Sequence, residues 1–194
     1  MNYRGSWGSP GEFRFGNNLE DADATLTFLR DSANARKLGV DTTRMVIAGH
    51  SMGGWVVAHV AARHPELAGA ILISAADMGR IATENPRPQL VGFMADDLES
   101  LSGVTAESMA DDLIAGAPRW RFDDDARGLS RTRLLVLSSN DGLAPHTDAL
   151  VQRVRAAGNT RVTTLHVATD HSWSDRRIAL ESAVIDWLER LRLR

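Results

Sequence analysis

An apolar run, Met45-Val46-Ile47-Ala48, passes straight into Gly49-His50-Ser51-Met52-Gly53, and a helix-like stretch follows as far as His64-Pro65. This stretch limits the possible folds more than any other, because Gly-x-Ser-x-Gly between a strand and a helix is the setting of a nucleophile elbow. A strand that turns abruptly into a helix leaves the apex residue, Ser51, in a strained backbone conformation. Glycines are then expected at 49 and 53, where any side chain would collide. A helix starting at Met52 aims the N–H groups of its first turn, and the positive end of its dipole, at the same spot. A serine held there can attack a carbonyl, and the Met52 N–H can hold the oxyanion that forms. The pattern alone also arises by chance, and a Gly/Ser turn between strand and helix is common in α/β proteins. Its weight therefore depends on partners elsewhere in the chain.

The remaining chain repeats the strand-then-helix theme. Ala70–Ser74 (AILIS) is a short continuous apolar run, as expected of a strand covered on both faces. Arg133–Ser138 and Val162–Val167 read as two further strands. A helix is expected between them, with Pro145 at its start and Gly158 at its end. Before the elbow, Asn17 and Asn18 offer a cap for a helix that places Leu19, Ala22, Leu26, Leu29 and Ala33 on one face and stops at Gly39. The last helix, about 174–191, turns Ile178, Ile185, Leu188 and Leu191 to one side. Alternation of this kind predicts an α/β fold: a doubly wound, mostly parallel sheet with helical crossovers. Residues 77–128 interrupt it with three prolines and two expected helices, one over Pro88–Ser102 and one after the cap residue Thr105. They read as a helical lid inserted into a single domain spanning 1–194. Residues 1–16 form a Gly-rich arm, and its aromatics Tyr3, Trp7, Phe13 and Phe15 suggest that it packs on something.

In such a sheet the reactive groups gather beyond the carboxyl ends of the strands. Ser51 follows the first strand, Asp141 the third and His171 the fourth, in the order Ser, Asp, His. His171 would take the Ser51 proton and return it to the leaving group, while Asp141 would fix the imidazole tautomer. Asp141, in Asn-Asp-Gly, could equally be a turn former. Asp170 is a rival acid, poorly placed to reach Nδ1 of its immediate neighbour His171. His50 and Met52 flank the nucleophile and would shape a pocket with Trp173, Phe93 and Met94, although most apolar residues of 77–128 are expected to form that segment's own core. The other histidines show no metal-ligand spacing, so no metal or cofactor is expected.

The chain of 194 residues carries a net charge of −3 with its arginines scattered, which gives no footprint for nucleic acid. With no cysteine there is no thiolate nucleophile and no disulfide framework. No apolar stretch reaches membrane-spanning length, and the N-terminus lacks a signal-peptide pattern. A soluble chain is expected, cytoplasmic before any other compartment.

Four stretches carry a resemblance to a known family: Asn2-Tyr3-Arg4-Gly5, Gly49-His50-Ser51-Met52-Gly53-Gly54, Asn140-Asp141-Gly142 and Asp170-His171-Ser172-Trp173-Ser174-Asp175. The chain resembles the α/β-hydrolase superfamily, near its dienelactone-hydrolase-like and prolyl-oligopeptidase-like serine hydrolases. That resemblance implies Ser51 as nucleophile, Asp141 as acid and His171 as base, with a lid at 77–128. Dienelactone hydrolases proper use a cysteine nucleophile, which this chain lacks. Family members begin with several more strands, and the Asn-Tyr-Arg-Gly loop follows the fourth of them, so the chain resembles the C-terminal portion of a member. The loop that donates a second oxyanion N–H has no counterpart here, for no His-Gly pair occurs. The Val46-Ile47 strand becomes a sheet edge, and an apolar edge invites pairing. A homo-oligomer is expected, most simply a dimer joined through this edge or the arm 1–16. The expected activity is that of a serine carboxylesterase acting on small acyl esters. The alternative is a weak or inactive truncated hydrolase that survives as a folded or binding domain.

Overall fold

The computed structural model describes residues 1–192. In chain order its elements are α1 (Phe15–Arg30), α2 (Ser32–Leu38), β1 (Val46–His50), α3 (Met52–Arg63), β2 (Gly69–Ile73), α4 (Met78–Glu84), α5 (Arg87–Ala95), α6 (Ala106–Gly116), β3 (Leu134–Ser138), α7 (Ala144–Ala156), β4 (Val162–His166) and α8 (Arg177–Arg192). They fall into two compact units, one of Met1–Val40 with Met78–Arg121, the other of Asp41–Asp77 with Phe122 onward. No helix among the described residues is long and apolar enough to cross a membrane.

The second unit holds the sheet. All four expected strands form, paired in parallel in the order β1-β2-β3-β4, with Val46 opposite Gly69, Ala70 opposite Leu134 and Leu134 opposite Val162. Parallel neighbours need a crossover, and α3 and α7 supply those from β1 to β2 and from β3 to β4. Ile71, Leu135 and Leu137 pack with Trp173 and with Trp187 of α8. Ala70, Leu72, Leu134 and Val136 alternate with them along the strands and are buried too, so β2 and β3 are covered on both faces. β1 and β4 form the margins and stay partly exposed. The inner face of α8 differs from the expected one. Leu180, Val184, Leu188 and Leu191 pack beside Trp187, whereas Ile178 is 81% exposed and Ile185 is exposed as well. The helix begins at Arg177 rather than Ser174, and of the expected inward residues Leu188 and Leu191 do pack on the core.

In the first unit, the single helix expected from Asn17 to Gly39 is two. α1 begins earlier, at Phe15, whose N–H donates to the Asp112 carboxylate at 2.9 Å. The chain breaks at Asp31, because its carboxylate accepts the N–H groups of Ala33 and Asn34, both at 3.0 Å, and so caps a new helix. Gly39, at φ 69°, closes α2 as expected. The N-terminal arm packs against residues 98–103: the Trp7 N–H donates to the Ser100 carbonyl and the Phe13 N–H to that of Ser102. Phe13 and Phe15 are buried edge to face, 5.3 Å apart. Thr105 caps α6 in a reciprocal box with Ser108. α4 was not expected, and α5 ends at Ala95, short of Ser102. Leu90, Met94, Met109 and Leu113 are buried in this unit.

Candidate active site

Ser51 sits between the last residue of β1 and the first of α3 with φ 55° and ψ −122°, a backbone region costly for any residue with a side chain. Two hydrogen bonds pin it to the end of β2: its N–H donates to the Ile73 carbonyl at 2.9 Å, and its carbonyl accepts from Ala76 at 3.2 Å. The glycine requirement is partly different from the expected one. A Cβ on Gly49 would lie 2.1 Å from the Gly53 carbonyl oxygen, so glycine is obligatory there. Gly53 faces open space and has no such need. Gly54 takes that role, because a Cβ on it would lie 2.4 Å from the Ala75 Cβ. Met52 is the first residue of α3, at the positive end of the helix dipole.

Asp141 and His171 leave the ends of β3 and β4 and meet. His171 Nδ1–H donates to Asp141 Oδ2 at 2.8 Å, and the Leu143 N–H donates to Asp141 Oδ1 at 2.9 Å. The Asp141 side chain is 3% exposed and that of His171 39%. Burial pushes the Asp141 carboxyl up, but hydrogen bonds from His171, the Leu143 N–H, Ser139 and Ser74 more than offset this and hold it below the usual aspartate range. An ionised carboxylate only accepts, so the ring proton lies on Nδ1 and the neutral imidazole keeps its lone pair on Nε2. Among the described residues no hydrogen bond joins Ser51 Oγ to the His171 ring. Such contacts are often long before substrate is bound. Asp170 turns away: its Oδ1 accepts the Ser174 N–H at 2.9 Å, and this bond leads the lowering of its pKa.

The pocket candidates separate. The His50 Nε2–H donates to the backbone carbonyl of His171 at 2.7 Å, with the rings 4.5 Å apart. Desolvation lowers the His50 pKa, which favours its neutral form. Trp173 does not present a wall to solvent. It is 1% exposed, packed in the core under the sheet, and its indole N–H donates to Ser74 Oγ at 3.1 Å. Phe93 and Met94 belong to the other unit, where Phe93 is 46% exposed and Met94 is buried. Ser74 and Ser139, unrecognised in the sequence, are buried with their hydroxyl oxygens 2.9 Å apart. Each directly follows the last residue of a central strand, and that polar ending was the available signal. The remaining histidines find other partners: His59 the buried Asp125 at 2.9 Å, His64 the Glu66 carboxylate, His166 both Ser138 and Asn140, and His146 the Asp77 N–H. No group of three metal-type ligands occurs among the described residues.

A strained serine between a parallel strand and a helix, with an Asp–His pair beyond later strands of the same sheet, invites comparison with known proteins. Residues 7–175 match the family described as alpha/beta hydrolase fold. The chain belongs to that family. No curated protein matches it. Among solved structures it is similar to an alpha-beta hydrolase from Vibrio vulnificus, with TM-score 0.61 and 21% identity, covering 96% of this chain and 61% of that one. An esterase of Pyrococcus furiosus is similar with TM-score 0.65 and 16% identity over 97% of this chain and 68% of its own. A thermostable carboxyl esterase from Bacillus coagulans gives TM-score 0.65 and 16% identity over 95% and 74%. At these identities the likeness shows the fold. This alpha/beta hydrolase chain thus spans about three fifths of the length of the Vibrio protein.

Proposed function

We propose that this chain is a serine hydrolase of carboxylic esters that works through an acyl-enzyme on Ser51. The observation that carries the reading is the His171–Asp141 hydrogen bond of 2.8 Å, between residues 30 apart in sequence that leave adjacent parallel strands. Its Nδ1–H geometry leaves Nε2 as the basic atom of the ring. Nε2 takes the Ser51 proton as Oγ attacks the ester carbonyl, and the Met52 N–H at the head of α3 stabilises the oxyanion. The tetrahedral adduct collapses when the imidazolium protonates the leaving alcohol. Water then repeats the sequence on the acyl-enzyme and releases the acid.

Small acyl esters are the proposed substrate class. The esterases among the similar structures agree with that choice.

Mass spectrometry after treatment with a fluorophosphonate tests the reading. Covalent labelling of Ser51, absent in Ser51→Ala, is the expected result. An unlabelled parent chain that hydrolyses a short-chain chromogenic ester no faster than Ser51→Ala would leave the alternative, a folded binding domain without catalysis.

A further inference from the structure

Arginines elsewhere in the chain meet acids: Arg4, Arg14, Arg44, Arg80, Arg87 and Arg153 each hold a carboxylate at 3.1 Å or less. Arg133, Arg161 and Arg190 do not. The three line one cavity of about 240 Å³, and among the described residues none of them forms an ion pair with an aspartate or glutamate. The Arg161 guanidinium donates only to the backbone carbonyl of Arg131, which leaves its charge unmatched. In a chain with 25 acidic residues against 22 basic ones, three unmatched cations around one hollow set it apart from the rest of the surface.

The backbone that carries these side chains is held in place. Arg133 directly precedes β3 and Arg161 directly precedes β4. The Arg133 carbonyl accepts the Ala70 N–H at 2.9 Å, and the Arg161 carbonyl accepts the Leu134 N–H at 3.0 Å. Asn159, 3% exposed, fixes the turn between them. Its amide donates to the Leu129 and Thr132 carbonyls, both at 2.7 Å, and its Oδ1 accepts the Arg161 N–H at 2.7 Å. Arg190 comes from α8, three residues after Trp187 and so on the same side of that helix. Trp187 is packed against the start of β2, where a Cβ on Gly69 would come within 2.5 Å of its ring.

Like charges around one hollow repel, and an anion between them turns that repulsion into attraction. The guanidinium fork suits the paired oxygens of a carboxylate or phosphate. Charge decides between the two. A monocarboxylate would leave two of the three cations unmatched, whereas a phosphomonoester carries close to two negative charges at neutral pH. Thr160 adds a hydroxyl donor to the lining, and Trp187 and Leu191 give it an apolar wall for whatever the phosphate is attached to. We infer that this cavity binds a soluble phosphomonoester, its phosphate held by Arg133, Arg161 and Arg190 and its apolar body laid against Trp187 and Leu191. Asp141 and His171 follow the opposite ends of the same two strands, β3 and β4. A ligand here therefore does not compete with a substrate at Ser51, and the inference stands apart from the hydrolase reading.

The experiment is an NMR titration of the full chain at about pH 7.5, where the phosphomonoester is a dianion. Phenyl phosphate, inorganic phosphate and benzoate are added in turn at constant ionic strength. The expected result is saturable shifts of the Trp187 indole N–H and of the Thr160 and Arg161 amides, with phenyl phosphate binding more tightly than either inorganic phosphate or benzoate. Arg161→Gln and Arg190→Gln each weaken phenyl phosphate about tenfold or more. Both side chains are exposed, and Arg190 makes no hydrogen bond among the described residues, so at least that variant keeps its fold. Arg36→Gln, on α2 in the other unit, removes the same charge and leaves the affinity unchanged. Shifts that never saturate, benzoate binding as tightly as phenyl phosphate, or equal weakening by Arg36→Gln would overturn the site. The same phosphate can also be presented by a lipid headgroup, so sedimentation with phosphatidylcholine vesicles containing phosphatidic acid is run in parallel. Sedimentation with those vesicles in a chain that phenyl phosphate does not shift would overturn the soluble ligand in favour of a membrane surface. Fluorophosphonate labelling of Ser51 is expected to proceed unchanged with phenyl phosphate at saturation; blocked labelling would place the ligand at Ser51 and overturn the separate site.

Discussion

The imidazole of His50 ties down the backbone of His171: its Nε2–H meets the His171 carbonyl oxygen at 2.7 Å, across 121 residues of sequence. The residue before the proposed nucleophile thereby holds the loop that carries the proposed base. A bond of this kind contributes about 1 kcal/mol net, but its effect on geometry is larger, since a misplacement of about 1 Å can cost 10²-fold in rate. His50→Phe keeps the ring and loses the donor. The expected outcome is a small loss of stability with kcat for a short-chain ester down about ten- to a hundredfold and KM nearly unchanged. Steady-state kinetics and a urea titration check it.

Asp141 and Asp125 should pull the stability of the fold in opposite directions with pH. The folded-state pKa of Asp141 is lowered, so its contribution is present above the unfolded value near 3.8 and is lost as pH falls through the lower folded value. Asp125 is raised by burial, against the opposing pull of its hydrogen-bond partner His59. It carries a penalty above its folded pKa that disappears as pH falls toward the unfolded value. Asp141→Asn is therefore expected to flatten the loss of stability below about pH 4. Asp125→Asn should remove a gain on acidification. Urea midpoints measured from pH 7 down to pH 3 distinguish the two.

The elbow glycines should respond very differently to one methyl group. Gly49→Ala and Gly54→Ala place a Cβ at 2.1 Å and 2.4 Å from fixed neighbours and are expected to destabilise by several kcal/mol or abolish folding. Gly53→Ala meets open space within a helix and should stabilise by about 0.5–1 kcal/mol. Thermal denaturation of the three variants decides it.

Self-association is the expected consequence of the margin formed by β1, which pairs with β2 on one side and is half exposed. Light scattering behind size exclusion should give twice the mass of 21.1 kDa at micromolar concentration. A monomer peak alone would remove the dimer from consideration.

β1, β2 and β3 were legible as apolar runs and β4 as an alternating stretch, and the three strand-end candidates followed from their places in the strand–helix order. What stayed hidden depended on distant partners. Asp31 sits inside a helical pattern and splits it only because its carboxylate finds the N–H groups of Ala33 and Asn34. α4 is short, and its buried Met78 and Ala82 lie in a segment punctuated by prolines. α8 was placed with its face misphased, since Ile178 and Ile185 satisfy helical periodicity as well as Leu180, Val184 and Trp187 do. Trp173 looked like a pocket wall beside His171, yet its partner Ser74 is 99 residues away and draws it inward.

The sheet is covered on both faces only along β2 and β3, while β1 and β4 make its outer margins. Asp141 leaves an inner strand; Ser51 and His171 hang from opposite borders. The carboxylate is thus the stationary post of the constellation, and the proposed nucleophile and base are its swinging arms. Fraying at either border would part the arms while leaving the post upright, so the machinery would go idle well before the protein came undone.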